Sequence, residues 1–167
     1  SVSIASLRDL ADEHAAIAAA TAKLATERTS PGRRTKLAEL AFRAREAKTA
    51  QLQSFSDSRF HIEIAVLSQS QRLLTAEQRM QTEISPLLWF GRHPRVSPQL
   101  AFNEHLEIVM AIEQGRAEDA RVLAERHVMD NIRSIVETKL SLFESRPSIE
   151  MPSTAQSTRT NASESTE

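Results

Sequence analysis

A chain of 167 residues that is 40% hydrophobic and 26% charged, with 3 glycines, 6 prolines and no tyrosine, is the size of one domain and has the composition of a soluble helical protein. The absence of cysteine excludes a disulfide framework, thiolate metal ligands and a cysteine nucleophile, so any metal must be held by histidine and carboxylate. A formal net charge of -1 gives no bulk attraction for nucleic acid, and every apolar stretch is broken by charge short of the roughly 20 residues that span a bilayer.

From Ile4 to about Arg28, residues Leu7, Leu10, Ala11, His14, Ile17 and Leu24 fall near one helical stripe, which predicts a long first helix. Thr29-Ser30-Pro31-Gly32 ends it, and Pro31 can open a second helix reaching about Lys48. Arg33, Arg34 and Lys36 form a small basic cluster at that turn, read as a solvated helix end. A third helix is expected from about Thr49 to Leu67, with Phe60, Ile64 and Leu67 on its apolar face. Asp57 precedes His61 by four residues on that helix, so both point from one side about a turn apart, as a metal-binding pair or a helix-surface hydrogen bond.

Ser70 can cap a fourth helix from about Gln71 to Phe90, whose buried side is expected to carry Leu73, Leu74, Met80, Ile84, Leu87 and Leu88. Pro86 falls inside it and is expected to end or kink it near Ser85. Residues 91 to 98 read as a loop with His93 exposed. Helix five covers about Pro98 to Gln114 and helix six about Ala117 to Glu144. From Arg146 onward the sequence is Ser/Thr-rich with almost no apolar content, which predicts a disordered tail.

Within the last two helices, His105 lies ten residues before Gly115 and His127 twelve after it. A turn at that glycine brings both imidazoles to one level of an antiparallel hairpin. With Asp57 and His61 they make a constellation spaced by four, forty-four and twenty-two residues across three helices. One carboxylate and three imidazoles suit zinc, and nickel, cobalt, manganese and iron are compatible by ligand type.

The segments DSRFH at 57 to 61, EHLEIVMAIEQG at 104 to 115 and ARVLAERH at 120 to 127, with Arg8 and Asp12 in the first helix, carry a family pattern. Over about Leu7 to Phe143 the chain resembles the effector-binding C-terminal (FCD) domain of the FadR branch of the GntR superfamily of bacterial transcription regulators. The resemblance implies an all-α antiparallel bundle of six or seven helices over residues 1–145, followed by the tail at 146–167. It further implies a divalent metal on Asp57, His61, His105 and His127, a small carboxylate effector, and a homodimer paired through the first and fourth helices. Regulators of this kind act in the bacterial cytoplasm and touch DNA through an N-terminal winged-helix domain. That domain is expected to be absent from this chain, whose start at Ser1 instead of methionine fits truncation after the linker. The family's Ser-Gly-Asn-Pro is Ser68-Gln69-Ser70-Gln71 here, with serine able to supply the cap, and its Gly-Asp is Gly115-Arg116, which removes a cap and should fray that turn.

For the effector, Arg8 is a candidate bidentate clamp on the carboxylate, Arg79 a further cation, and Asn103 and Asn131 orienting or hydroxyl-reading groups. Two other readings stay open: a metal-dependent hydrolase or isomerase, and a purely structural metal site. An enzyme needs a general base beside the metal. The sequence offers none, because His14 and His93 are expected outside the constellation and Glu63 and Glu104 are expected to face away.

Overall fold

The structure, a computed structural model, describes residues 3–30, 32, 34–90 and 98–144. Among these residues there are six helices and no strand: α1 (Ile4–Arg28), α2 (Thr35–Glu46), α3 (Ala50–Leu67), α4 (Gln71–Phe90), α5 (Pro98–Glu113) and α6 (Ala117–Glu144). The all-α bundle expected from the sequence is the fold observed. None of these helices is long and apolar enough to cross a membrane. His93, Pro31, Arg33 and the Ser/Thr-rich segment from residue 146 lie outside the described residues.

Helix α1 is the axis of the bundle, packing against α3, α4, α5 and α6, most extensively against α6. Its alanines make this possible: Ala11, Ala15, Ala18, Ala22 and Ala25 are all buried, and small side chains let neighbouring backbones approach on more than one face. Larger groups from the surrounding helices fill the remaining space, including Leu37 from α2, Phe60 from α3, Met80 from α4, Ile108 and Ile112 from α5 and Val128 from α6. Ser3 and Thr49 cap α1 and α3 by accepting from the backbone N–H groups of Ser6 and Leu52.

Three local expectations are corrected or refined. First, Arg34 is not solvated: it is 5% exposed and its guanidinium donates to the carbonyls of Ile112 at 2.5 Å, Glu113 at 3.2 Å and Thr26 at 2.8 Å, and also to that of Thr29. A cation here satisfies carbonyls that the ends of α1 and α5 cannot pair internally. Lys36 in the same cluster is exposed and pairs with Glu63 at 3.1 Å. Second, α4 continues through Pro86 to Phe90. The carbonyl that Pro86 cannot pair belongs to Thr82, four residues earlier, and Thr82 is exposed to water. Third, the α5–α6 turn is closed and not frayed. Gly115 takes φ 73°, Arg116 N–H reaches Ala111 O at 2.9 Å and Gly115 N–H reaches Ile112 O at 3.2 Å, which is a Schellman motif. The Arg116 side chain also pairs with Asp119 in the first turn of α6.

Where the family shows glycine between the third and fourth helices, Gln69 itself takes a positive φ of 54°. Its side-chain amide donates to Arg28 O at 2.7 Å, while Thr29 Oγ1 donates to Leu67 O at 2.7 Å and Arg28 to Ser68 O at 3.1 Å. These bonds tie the end of α1 to the end of α3 and offset the strain of a side chain in the left-handed region.

Candidate metal centre

Each candidate ligand lies on the buried face of its helix because the apolar residues around it do. On α5, His105 is followed at three and seven residues by buried Ile108 and Ile112, and on α6, Ala120 and Ala124 precede His127 at seven and three. On α3, Phe60 turns into the core beside His61 and stacks on the His105 ring, with centroids 4.1 Å apart and planes at 22°.

One ligand atom from each of Asp57, His61, His105 and His127 lies within 4.8 Å of the other three. His105 Nε2 is 3.1 Å from His127 Nε2 and 3.3 Å from Asp57 Oδ1, and His61 Nε2 is 3.9 Å from Asp57 Oδ2. Two donors each about 2.0–2.1 Å from a common ion stand about 2.9–3.4 Å apart in neighbouring positions, so the two shorter separations are those of a shared ligand sphere. The three histidines are buried and Asp57 is partly so.

The proton inventory favours a cation. Glu104 Oε2 lies 2.6 Å from His127 Nδ1. An ionised carboxylate only accepts, so the ring proton sits on Nδ1 and the Nε2 lone pair points at the other three ligands. Asn131 Nδ2 lies 3.1 Å from the same Nε2 and would give up that contact to an ion on the lone pair. This is the carboxylate–histidine arrangement that orients metal-binding imidazoles and raises their basicity. His105 is held differently, by its stack on Phe60, and its Nδ1 is buried with no hydrogen-bond partner among the described residues.

Burial also sets protonation. The His61 imidazole is pushed down to about 3, first by loss of solvation, then by His127 and His14 against an opposing pull from Glu77. His105 is lowered well below the usual histidine range by burial and then by His127 and His61. Both rings are therefore neutral at pH 7 and carry the lone pairs that a metal needs.

Sequence reasoning missed a second buried polar group beside the ligands. His14 was expected outside the constellation, yet its ring lies 5.9 Å from that of His61. Its Nε2 is 3.2 Å from Glu77 Oε1, and Gln81 Nε2 donates to the same oxygen at 2.7 Å. Burial alone would raise the Glu77 carboxyl, but the hydrogen bond and charge of His14, with His61 and Gln81, hold it below the ordinary glutamate value. The signal was present: Glu77 falls four residues after Leu73, three before Met80 and seven before Ile84, so it sits on the apolar face of α4. Glu104, expected to face away, is the partner of His127, while Glu63 pairs with Lys36 away from the ligands.

The four effector candidates lie in different places. Asn131 reaches the ligands and lines a small enclosed cavity with His14, Asp57, His61 and Gln81. Arg8 is exposed on α1, about 100° around the helix from buried Leu7. Arg79 is exposed and pairs with Glu13, and Asn103 is exposed and accepts from Gln99 at 2.8 Å.

The core of this helical bundle gathers three histidines and an aspartate from three helices, a donor set able to hold a metal ion. The FCD domain model matches residues 9–130, so the chain belongs to the FCD domain family, as its resemblance to the effector domains of GntR-type regulators indicated. It is 45% identical over 159 residues to the "Putative HTH-type transcriptional regulator RmpR" of Mycobacterium gastri, an alignment covering 93% of this chain. The chain spans 57% of that relative's length.

Proposed function

We propose that this chain is the ligand-sensing domain of a GntR-family transcription regulator that holds a divalent metal on Asp57, His61, His105 and His127 and takes a small carboxylate as effector. The convergence of four donor atoms from three helices, with Glu104 fixing the His127 tautomer, carries this reading. Zinc suits the three imidazoles and one carboxylate best, and nickel, manganese, cobalt and iron share these ligand preferences. The metal, when bound, supplies a cationic Lewis acid that attracts the carboxylate. Asn131, 3.1 Å from His127 Nε2, would orient the bound acid. In a homodimer, a shift of the bundle on filling the site would change the spacing of two winged-helix domains and so their fit to operator half-sites.

FCD membership and the regulator relative support sensing over turnover. The buried histidine beside the ligands is engaged as well, since His14 Nε2 lies 3.2 Å from Glu77 Oε1. Elemental analysis of purified protein tests the reading. A stoichiometric divalent ion is expected, lost in His105→Ala and in His127→Ala. A chain purified without metal, and unchanged in thermal stability by added zinc, nickel or manganese, would sink it.

A further inference from the structure

On the outer side of the ligands, α3 and α4 enclose a groove of about 390 Å³, within the size range of small-molecule sites. Gln81 lines both this groove and the small cavity that contains Asp57, His61 and Asn131. It is the partition between them. Gln81 is 4% exposed, its Nε2 is engaged with Glu77, and its Oε1 is buried with no hydrogen-bond partner among the described residues. Swinging Gln81 aside gives up its bond to Glu77 but none through its unpaired Oε1, and the bound acid must offset that loss.

The lining states what the groove accepts. None of its ten described residues is charged. Phe55, Ile62 and Pro86 contribute apolar surface, and the hydroxyls between them are already engaged: Ser58 Oγ and Ser85 Oγ are 2.6 Å apart, and Ser54 Oγ donates to Ser85 O at 3.3 Å. Arg59 lies over the outer face of Phe55, 5.9 Å from the ring centroid, and is not among the lining residues. On the inner side, the Glu77 carboxylate would repel a second anion.

Resting on the carboxylate reading above, we propose that the effector is a monocarboxylate with an uncharged, largely apolar tail: its head lies at Asp57, His61 and Asn131, and its tail passes the displaced Gln81 into the α3–α4 groove. With Gln81 in place the cavity at the ligands holds about one water, so the head enters only as Gln81 swings aside, and the tail in the groove supplies most of the affinity and selectivity. A dicarboxylate of the same length is disfavoured, because no lining residue is a cation that could pair its second charge and the Phe55, Ile62 and Pro86 surface solvates a charge poorly.

Calorimetry on zinc-loaded protein with acetate, hexanoate and adipate tests this. Hexanoate should bind on the order of 10- to 100-fold more tightly than acetate, from burial of its added methylenes, and adipate more weakly than hexanoate by at least tenfold. Thr82→Trp, which fills the groove from an exposed position, should collapse the hexanoate-to-acetate ratio toward unity, with Thr82→Tyr as a second variant should the first misfold. Acetate binding with no gain for hexanoate, adipate binding as tightly as hexanoate, or an unchanged ratio in both variants would overturn the groove assignment alone. Zinc-loaded protein that binds none of the three acids would overturn the carboxylate reading and this inference with it.

Discussion

Glu104 shows how one side chain outside a ligand set can decide how well the set works. Its carboxylate is 2.6 Å from His127 Nδ1, so it fixes both the tautomer and the ring plane of that ligand. Glu104→Gln keeps the shape but removes the charge, and an amide can present its N–H₂ where only an acceptor is useful. Metal affinity should fall about 10- to 100-fold, measured by competition against a chelating dye, with the helical content unchanged. Equal affinity in wild type and variant would show that packing alone orients His127. The convergence of Asp57, His61, His105 and His127 was legible in the sequence because a four-residue step on a helix and two histidines around a glycine are periodic signals. Glu104 was not, since its role depends on the crossing of α5 and α6. His14 and Glu77 were hidden for the same reason: a residue on an apolar stripe has a recognisable burial, but its polar partner belongs to a helix 63 residues away.

At the scale of the helices, the bounds were legible wherever local chemistry sets them. Ser3, Thr49 and Gly115 act through bonds to groups within a few residues, and α1 and α6 run over the spans that the periodicity predicts. Arg34 acts at long range and was misread as solvated. It leads into α2, yet it bonds carbonyls at the C-terminal ends of both α1 and α5. Through α5 it braces the helix that carries His105, one turn before the hairpin glycine. Arg34→Ala would take the guanidinium from the carbonyls of Thr26, Thr29 and Glu113, leave Ile112 O only the Gly115 N–H, and remove a cation from two helix C-termini. A loss of about 2–4 kcal/mol is expected from the buried acceptors left without a donor, read from the midpoint of urea unfolding. Arg34→Lys should recover only part of it, because one ammonium cannot span acceptors that a planar guanidinium bridges. A loss below about 1 kcal/mol in the alanine variant would mean that water replaces the guanidinium at little cost.

For the molecule as a whole, the site couples folding to protonation, because α3, α5 and α6 meet around imidazoles that must stay neutral. His61 faces Asp57 on its own helix, His14 on α1, Glu77 on α4, His105 on α5 and His127 on α6. The net effect lowers its folded value to about 3 from an unfolded value near 6.5, and His105 moves in the same direction. Between those limits the unfolded chain binds protons that the folded chain refuses. Stability from these two groups is therefore present above about pH 6.5 and is lost as pH falls toward the folded values. Glu77, held below its ordinary value, stays ionised between pH 7 and 5 and does not offset the trend. From pH 7 to pH 5 His61 should remove about 2 kcal/mol, a sizeable share of the roughly 5–15 kcal/mol typical of a domain, and His105 acts in the same direction. For a chain of this length the His61 contribution corresponds to a fall in melting temperature of roughly 4–8 °C, measured by calorimetry with a chelator present throughout. His61→Leu and His105→Leu should each flatten the curve, since an apolar replacement has no proton to take up. A melting temperature in chelator that does not change from pH 7 to pH 5 would mean that the folded protein accommodates charged imidazoles, by opening the bundle or by letting water reach the ligands.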